Sequence, residues 1–118
     1  MRPFLAAVLL ATSTLCAAQE FPSRPVRLFV GFTPGTGIDV VARIVATEVS
    51  KSLPHPVVVE NRAGAGGNVG ADVVAKAAPD GYTLLMASGA QITVNPSLYG
   101  KMSFDPIRDL APISQVVF

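Results

Sequence analysis

A glycine-rich segment at residues 60–70, with the sequence E-N-R-A-G-A-G-G-N-V-G, most constrains the fold that this chain can adopt. The apolar run 57–59 precedes this segment, and a run with helical character, 69–77, follows it. A second segment, residues 29–39, repeats the plan with glycines at positions 31, 35 and 37. Each segment predicts a tight connection from a β-strand to an α-helix, because glycine accepts positive φ angles and leaves room beside the main chain.

The remaining chain extends this alternation into an α/β pattern. Short apolar runs predict strands at residues 26–30, 56–60, 83–87 and 113–118. Helices are predicted at 39–53 and 69–77, and short helical turns at Asn95-Pro96 and at 105–109. With right-handed crossovers, this order predicts a mainly parallel sheet with helices on its faces.

The apolar residues of the two longer helices predict which side of each helix packs on the sheet. In the first helix, Val41, Val45 and Val49 recur every four residues, and Ile44 widens the stripe. In the second helix, Val69, Val73 and Ala77 share one face. We expect these stripes to be buried.

The polar loops after the first three strands favour a ligand site. All three follow the carboxyl end of a strand, which is where open α/β sheets bind their ligands. Two of them lead into helices, whose first N–H groups and dipole favour an anion. The alternative interpretation is that the glycines only make tight turns.

Several classes of site lack their sequence signature. The glycine spacing fails the dinucleotide fingerprint, since Val69 and Val40 stand where its third glycine belongs, and no phosphate-binding lysine loop is present. His55 stands alone between two prolines, so we expect neither a metal site nor a cofactor. A net charge of +1 gives no basic footprint for nucleic acid. An enzyme on the same α/β scaffold would need a general base, a nucleophile or a set of metal ligands, and the sequence shows none, so we do not expect an enzyme.

Residues 1–18 have the features of a cleavable signal peptide. Arg2 supplies a positive charge, residues 4–11 are apolar, and small residues precede a cleavage point near Ala18. The apolar run is too short for a transmembrane helix. Cys16 is the only cysteine, and Leu15 before it disfavours lipidation, so ordinary cleavage is expected. Export of a chain without disulfides is compatible with the bacterial periplasm.

Several motifs resemble those of the tripartite tricarboxylate transporter substrate-binding proteins, also called Bug-type receptors. They cover essentially all of the chain after the signal peptide, and together they are very specific. The motifs are P-S-R-P-V-R at 22–27, F-x-P-G-x-G-x-D at 32–39, V-V-V-E-N-R-x-G-A-G-G-N-x-G at 57–70, A-A-P-D-G-Y-T-L at 77–84, N-P-S-L-Y at 95–99, and D-P with D-L-A-P between 105 and 112.

The resemblance implies a type II-like, two-lobed periplasmic binding protein that closes on a small organic carboxylate. Residues 19–118 would then be an incomplete N-terminal lobe, with the second lobe absent, of a receptor that is monomeric when complete and serves membrane transporter subunits. Thr36, Ile38 and Ala63 depart from the family's usual residues, and the departures at Thr36 and Ile38 leave the exact ligand open. The implied ligand-binding residues are Thr33, Pro34, Gly35, Thr36, Gly37, Asp39, Gly64, Ala65, Gly66, Asn68, Ser88 and Gly89.

The sequence leaves the function and the roles of Asp39 and Arg62 open. The protein is a transport receptor, a ligand sensor for a signalling partner, or a non-functional truncated gene product. The chain alone is expected to be poorly stable or not to bind. Asp39 either caps its own helix, which we favour, or faces the ligand cleft. Arg62 either holds a carboxylate or pairs with Glu60, and we favour the structural role.

Overall fold

The computed structural model describes residues 20–116, so the predicted signal peptide lies outside the described residues. Within them the chain alternates strands and helices as the sequence predicts. A 3-10 turn, Ala65–Gly67, comes directly before the second helix. The elements are β1 (Val26–Val30), α1 (Gly37–Ser50), β2 (Val57–Asn61), α2 (Asn68–Ala75), β3 (Thr83–Met86), α3 (Gly89–Thr93) and α4 (Asn95–Leu98).

The three strands form a parallel sheet in the order β2-β1-β3, which confirms the predicted sheet type. Val26 pairs with Val57, and Val30 at the other end of β1 pairs with both Asn61 and Met86. The central strand β1 is the most buried element, because neighbours cover both of its edges and helices cover its faces. Since all three strands are parallel, their carboxyl ends meet at one edge of the sheet.

Helix α1 packs against β1 and β2 through small residues. Ala42 and Ala46 are buried against Leu28 and Val30. The predicted valine stripe is therefore wrong in part, since Ile44 and Val49 are 59% and 43% exposed. The physical reason is that alanine side chains let the helix backbone approach the sheet, which turns the larger residues outward.

Helix α2 packs against β1 and β3 through Gly70 and Ala71. A Cβ atom at Gly70 would lie 2.9 Å from the Gly31 Cα, so only glycine allows this approach of helix and strand. The predicted face of α2 is also wrong, because Val69 and Val73 are 46% and 38% exposed. Both valines line an open cavity of about 330 Å³ beside Tyr99, Met102 and Phe104.

The segment after α4 is largely irregular. The predicted turn at 105–109 is present, and the Asp105 carboxylate accepts the N–H groups of Ile107 and Arg108 at 2.9 and 3.2 Å. The strand predicted at 113–118 is wrong for residues 113–116, which are irregular and exposed. A β-strand needs a neighbour for its hydrogen bonds, and no described strand lies beside them. None of the helices described between residues 20 and 116 has the length and apolar character needed to span a membrane.

Candidate anion-binding site

Three loops meet at the carboxyl edge of the sheet. We call the connection from β1 to α1 loop 1 (31–36), that from β2 to α2 loop 2 (62–67), and that from β3 to α3 loop 3 (87–88). Loops 1 and 2 touch directly, since a Cβ atom at Gly31 would lie 2.4 Å from the Gly67 carbonyl oxygen. Of the predicted ligand-binding residues, Thr36 and Ser88 are half-buried, Asp39 and Asn68 are buried, and the exposed ones are Thr33, Pro34, Gly35, Gly37, Gly64, Ala65, Gly66 and Gly89.

Loop 1 ends in a helix N-terminus with unpaired donors. The first main-chain hydrogen bond of α1 runs from the Val40 N–H to the Thr36 carbonyl, at 3.0 Å. The N–H groups of Gly37, Ile38 and Asp39 come before this bond and have no acceptor within the helix. The side chain of the N-cap residue, Thr36, does not accept from them either. The positive end of the helix dipole lies at the same place. This helix start therefore favours a negatively charged group.

The buried carboxylate of Asp39 stabilises loop 1 through hydrogen bonds. Its carboxylate accepts the Gly35 N–H at 2.9 Å, the Arg43 Nε–H at 2.9 Å and the Asn61 side-chain amide at 2.8 Å. The residue is only 2% exposed. The prediction that Asp39 caps its own helix is therefore wrong, because the main-chain donor that it binds, the Gly35 N–H, belongs to loop 1. Asp39 supports the loop and does not face open solvent. The Gly35 N–H is consequently occupied.

The same contacts keep Asp39 ionised. The Arg43 hydrogen bond is the largest cause, followed by the Gly35 N–H and the Asn61 amide, and together they lower the pKa of Asp39 far below its usual value. Burial acts in the opposite direction and is outweighed. Asn61 also donates to the Phe32 carbonyl at 3.0 Å and accepts from Arg43 at 3.1 Å. One polar cluster therefore ties loop 1 to α1 and to the end of β2.

Loop 2 has an unusual main chain. Its residues Ala65, Gly66 and Gly67 have φ angles of 47°, 62° and 92°, and Ala65 is the only non-glycine residue with positive φ among residues 20–116. The Gly67 N–H closes the 3-10 turn on the Gly64 carbonyl at 2.9 Å, so the N–H groups of Ala65 and Gly66 precede the first bond of the turn. Loop 2 therefore presents exposed main-chain donors, as loop 1 does.

Two buried amides that sequence reasoning missed hold loop 2. The Gln91 Nε2 atom donates to the Gly67 carbonyl at 2.8 Å, and the Asn95 Nδ2 atom donates to the Gly66 carbonyl at 3.0 Å. Asn95 also donates to the Asn68 Oδ1 atom at 2.7 Å, so the side chain of Asn68 is engaged inside the protein. The sequence signal for Gln91 is its position three residues after Ser88, the spacing of a capping box.

Loop 3 ends in that capping box. The Ser88 N–H donates to the Gln91 Oε1 atom at 2.8 Å, and the Gln91 N–H donates to the Ser88 hydroxyl at 3.4 Å. Gly89 follows as the first residue of α3 and has open space beside it. The Ser88 hydroxyl is therefore the N-cap group of helix α3.

Arg62 does not pair directly with Glu60, so that prediction is wrong. Glu60 instead binds Arg27 through two hydrogen bonds of 2.6 and 2.9 Å. The Arg27 hydrogen bond is the main cause that lowers the pKa of Glu60, and the charge of Arg62 is the smallest. No hydrogen bond or ion pair of the Arg62 side chain occurs within residues 20–116, and the residue is exposed at the start of loop 2. In the same range no group of His, Cys, Asp and Glu side chains is arranged to hold a metal ion.

Comparison with known proteins identifies the family of the chain. The model of the tripartite tricarboxylate transporter family receptor, TctC, matches residues 41–118, well over half of the chain. Protein BugT from Bordetella pertussis is 44% identical over 113 residues, which cover 92% of this chain and 35% of that protein. The chain thus spans about a third of the length of the curated relatives that it matches.

Two solved structures carry carboxylates and share the fold. An R. palustris protein with adipate is 36% identical with a TM-score of 0.72, covering 75% of this chain and 29% of that one. MatC from Rhodopseudomonas palustris with bound malate is 38% identical with a TM-score of 0.65, covering 75% of this chain and 30% of that one. The family match and the identity to BugT show that the chain belongs to the tripartite tricarboxylate transporter family of receptors.

Proposed function

We propose that this chain forms the N-terminal lobe region of a periplasmic receptor that binds a small organic carboxylate and delivers it to a membrane transporter of the tripartite tricarboxylate type. One observation carries the proposal. Loops 1 and 2 direct two sets of unpaired main-chain N–H groups to the same edge of the sheet. The adipate and malate in the related structures support a carboxylate as the ligand.

Binding follows from the geometry of these donors. The N–H groups of Gly37 and Ile38 in loop 1, and of Ala65 and Gly66 in loop 2, are available to carboxylate oxygens. A hydrogen bond to a charged group contributes about 1.5–3 kcal/mol, more than a bond between neutral groups. Because backbone amides and helix dipoles supply the positive potential, the site needs no cationic side chain. No group in this arrangement is placed for covalent chemistry, so the receptor holds the ligand unchanged.

The rest of a complete receptor supplies the opposing wall. The predicted ligand loops of this chain are open to solvent, whereas ligand sites normally bury most of the ligand surface. We propose that residues 19–118 are one part of a lobe, that a second lobe closes over the ligand by hinge motion, and that the complete receptor is a monomer. The 118-residue chain alone then binds carboxylates weakly.

Thermal-shift measurements against a panel of organic acids test this function. We expect succinate, malate and adipate at millimolar concentration to raise the melting temperature of the protein, because a ligand that binds only the folded state stabilises it by mass action. The neutral diamides of the same acids are the matched controls and should have no effect. Stabilisation by the diamides or by diamines, with none by the acids, would overturn the assignment of a carboxylate.

The proposed location follows from the same family. Relatives are described as periplasmic binding proteins, and residues 1–18 have signal-peptide features. We propose export to the periplasm with cleavage near Ala18. The intact mass of the exported protein should correspond to loss of this segment, and a retained N-terminus or a lipid on Cys16 would contradict the proposal.

A further inference from the structure

The side-chain amide of Gln91 connects two loops, because its nitrogen binds one loop and its oxygen binds the other. It is fully buried, at 0% exposure. Its Nε2 atom donates to the Gly67 carbonyl of loop 2 at 2.8 Å, and its Oε1 atom accepts the Ser88 N–H of loop 3 at 2.8 Å. The glycine of loop 1 closes the junction, since a Cβ atom at Gly31 would lie 2.9 Å from the Gln91 Nε2 atom. All three loops therefore meet at this one side chain.

Asn95 adds a second link of the same kind. It is 4% exposed, and its Nδ2 atom binds the Gly66 carbonyl at 3.0 Å and the Asn68 Oδ1 atom at 2.7 Å. Two successive carbonyls of loop 2 are thus drawn into the protein by amides from the segment after β3. A hydrogen bond of this kind fixes the orientation of the peptide group that accepts it.

These links maintain a main-chain conformation that is costly by itself. Ala65 has a φ of 47°, in the left-handed region that non-glycine residues rarely adopt, and Gly66 and Gly67 continue with positive φ. Such a conformation persists only where surrounding contacts hold it. Only Ala65 is strained, since glycine adopts positive φ readily. The N–H groups of Ala65 and Gly66 belong to this stretch, so their direction depends on the Gln91 and Asn95 amides that bind its carbonyls.

We propose that Gln91 and Asn95 are positioning residues for the carboxylate site. They touch no ligand, and they act by holding loop 2 so that its donors converge with those at the start of α1. This inference rests on the proposed carboxylate-binding function. A positioning role differs from a purely stabilising one, because replacing Gln91 should then weaken ligand binding even in a protein that remains folded.

The test compares Gln91→Met with Thr93→Val. Methionine keeps the length and burial of glutamine and removes both of its hydrogen bonds. Thr93 lies on the same helix α3, and its hydroxyl binds only the Gly89 carbonyl, at 2.9 Å, so valine there removes a hydrogen bond without touching loop 2. Succinate binding and amide hydrogen exchange of Gly67, whose N–H is hydrogen-bonded within loop 2, are measured for both variants by NMR.

We expect Gln91→Met to bind succinate about tenfold more weakly, which corresponds to the loss of one effective hydrogen bond. Its Gly67 amide, which closes the turn of loop 2 on the Gly64 carbonyl at 2.9 Å, should exchange faster, while the amides of β1 stay protected. Thr93→Val should bind within about twofold of the unmodified protein. If Gln91→Met does not fold, Asn95→Ser is measured in its place, since it shortens the second link and leaves Gln91 intact.

Two results would overturn the inference. In the first, a folded Gln91→Met or Asn95→Ser protein binds succinate as tightly as Thr93→Val does. In the second, exchange of the Gly67 amide is unchanged. Failure of the proposed function has a different signature, because neither the unmodified protein nor Thr93→Val would then bind any carboxylate.

Discussion

Gly31→Ala should destabilise the protein by about 1–3 kcal/mol, the usual cost of forcing extra atoms into a packed interior. The added Cβ would lie 2.4 and 2.7 Å from the carbonyl oxygen and Cα of Gly67, closer than Cβ atoms approach other atoms. Because both are main-chain atoms, no side-chain rotation relieves the contact. Loops 1 and 2 must move apart, so carboxylate affinity should fall with stability.

Chemical denaturation measures this effect, and Gly100→Ala provides the control. Nothing lies within 4 Å of a Cβ atom built at Gly100. We expect its unfolding free energy to stay within about 0.5 kcal/mol of the unmodified protein. Equal stability of the Gly31 and Gly100 variants would show that loops 1 and 2 are not in contact at Gly31.

Asp39→Asn should lower the stability of the protein at neutral pH and flatten its dependence on pH in the acid range. The folded pKa of Asp39 lies below its unfolded value because of Arg43, then the Gly35 N–H and then Asn61. A group with a depressed pKa stabilises the folded state above its unfolded pKa, which is about 3.9, and this contribution is lost as the pH falls below that value. The asparagine variant lacks this contribution, so the two proteins should converge in stability at low pH.

Unfolding measured at pH 7 and at pH 3 checks the effect, with Glu48→Gln as the control on the same helix. Glu48 pairs with Lys51, and both side chains are 64% exposed, so its loss should change little. The ranking of carboxylate ligands should survive Asp39→Asn, since Asp39 is buried behind loop 1. An unchanged acid profile would contradict the bracing role, and a new preference for simple dicarboxylates over amino acids would show that Asp39 reads the ligand.

The parallel sheet was predictable because three short apolar runs are each followed by a turn or loop signal. The glycine segments also predict that helices, and not tight hairpins, connect these runs. The face of α1 was not predictable from its valines. Apolar spacing identified a stripe that includes Val49, whereas close packing selected Ala42 and Ala46, together with Asp39 one turn earlier. Periodicity does not distinguish a helix that packs through large residues from one that packs through small ones.

The meeting of the three loops at one edge of the sheet was predictable, and the side chains that support them were not. The carboxyl edge of a parallel sheet is a general ligand position, so strand order and the glycine segments made the loops at 33–37 and 64–68 the candidates. Asn61, Gln91 and Asn95 act across 22 to 29 residues of sequence, and such tertiary hydrogen bonds leave no local pattern. Only the spacing of Ser88 and Gln91 carried a signal, and it pointed to a helix start.

An NMR titration of isotope-labelled protein with adipate tests the central claim most directly. The account predicts that adipate shifts the amide resonances of Gly37, Ile38, Ala65 and Gly66, and that the neutral diamide of adipate leaves them unchanged. Equal shifts with acid and diamide, or adipate shifts confined to the cavity beside Val69 and Val73, would contradict a carboxylate site built from main-chain donors.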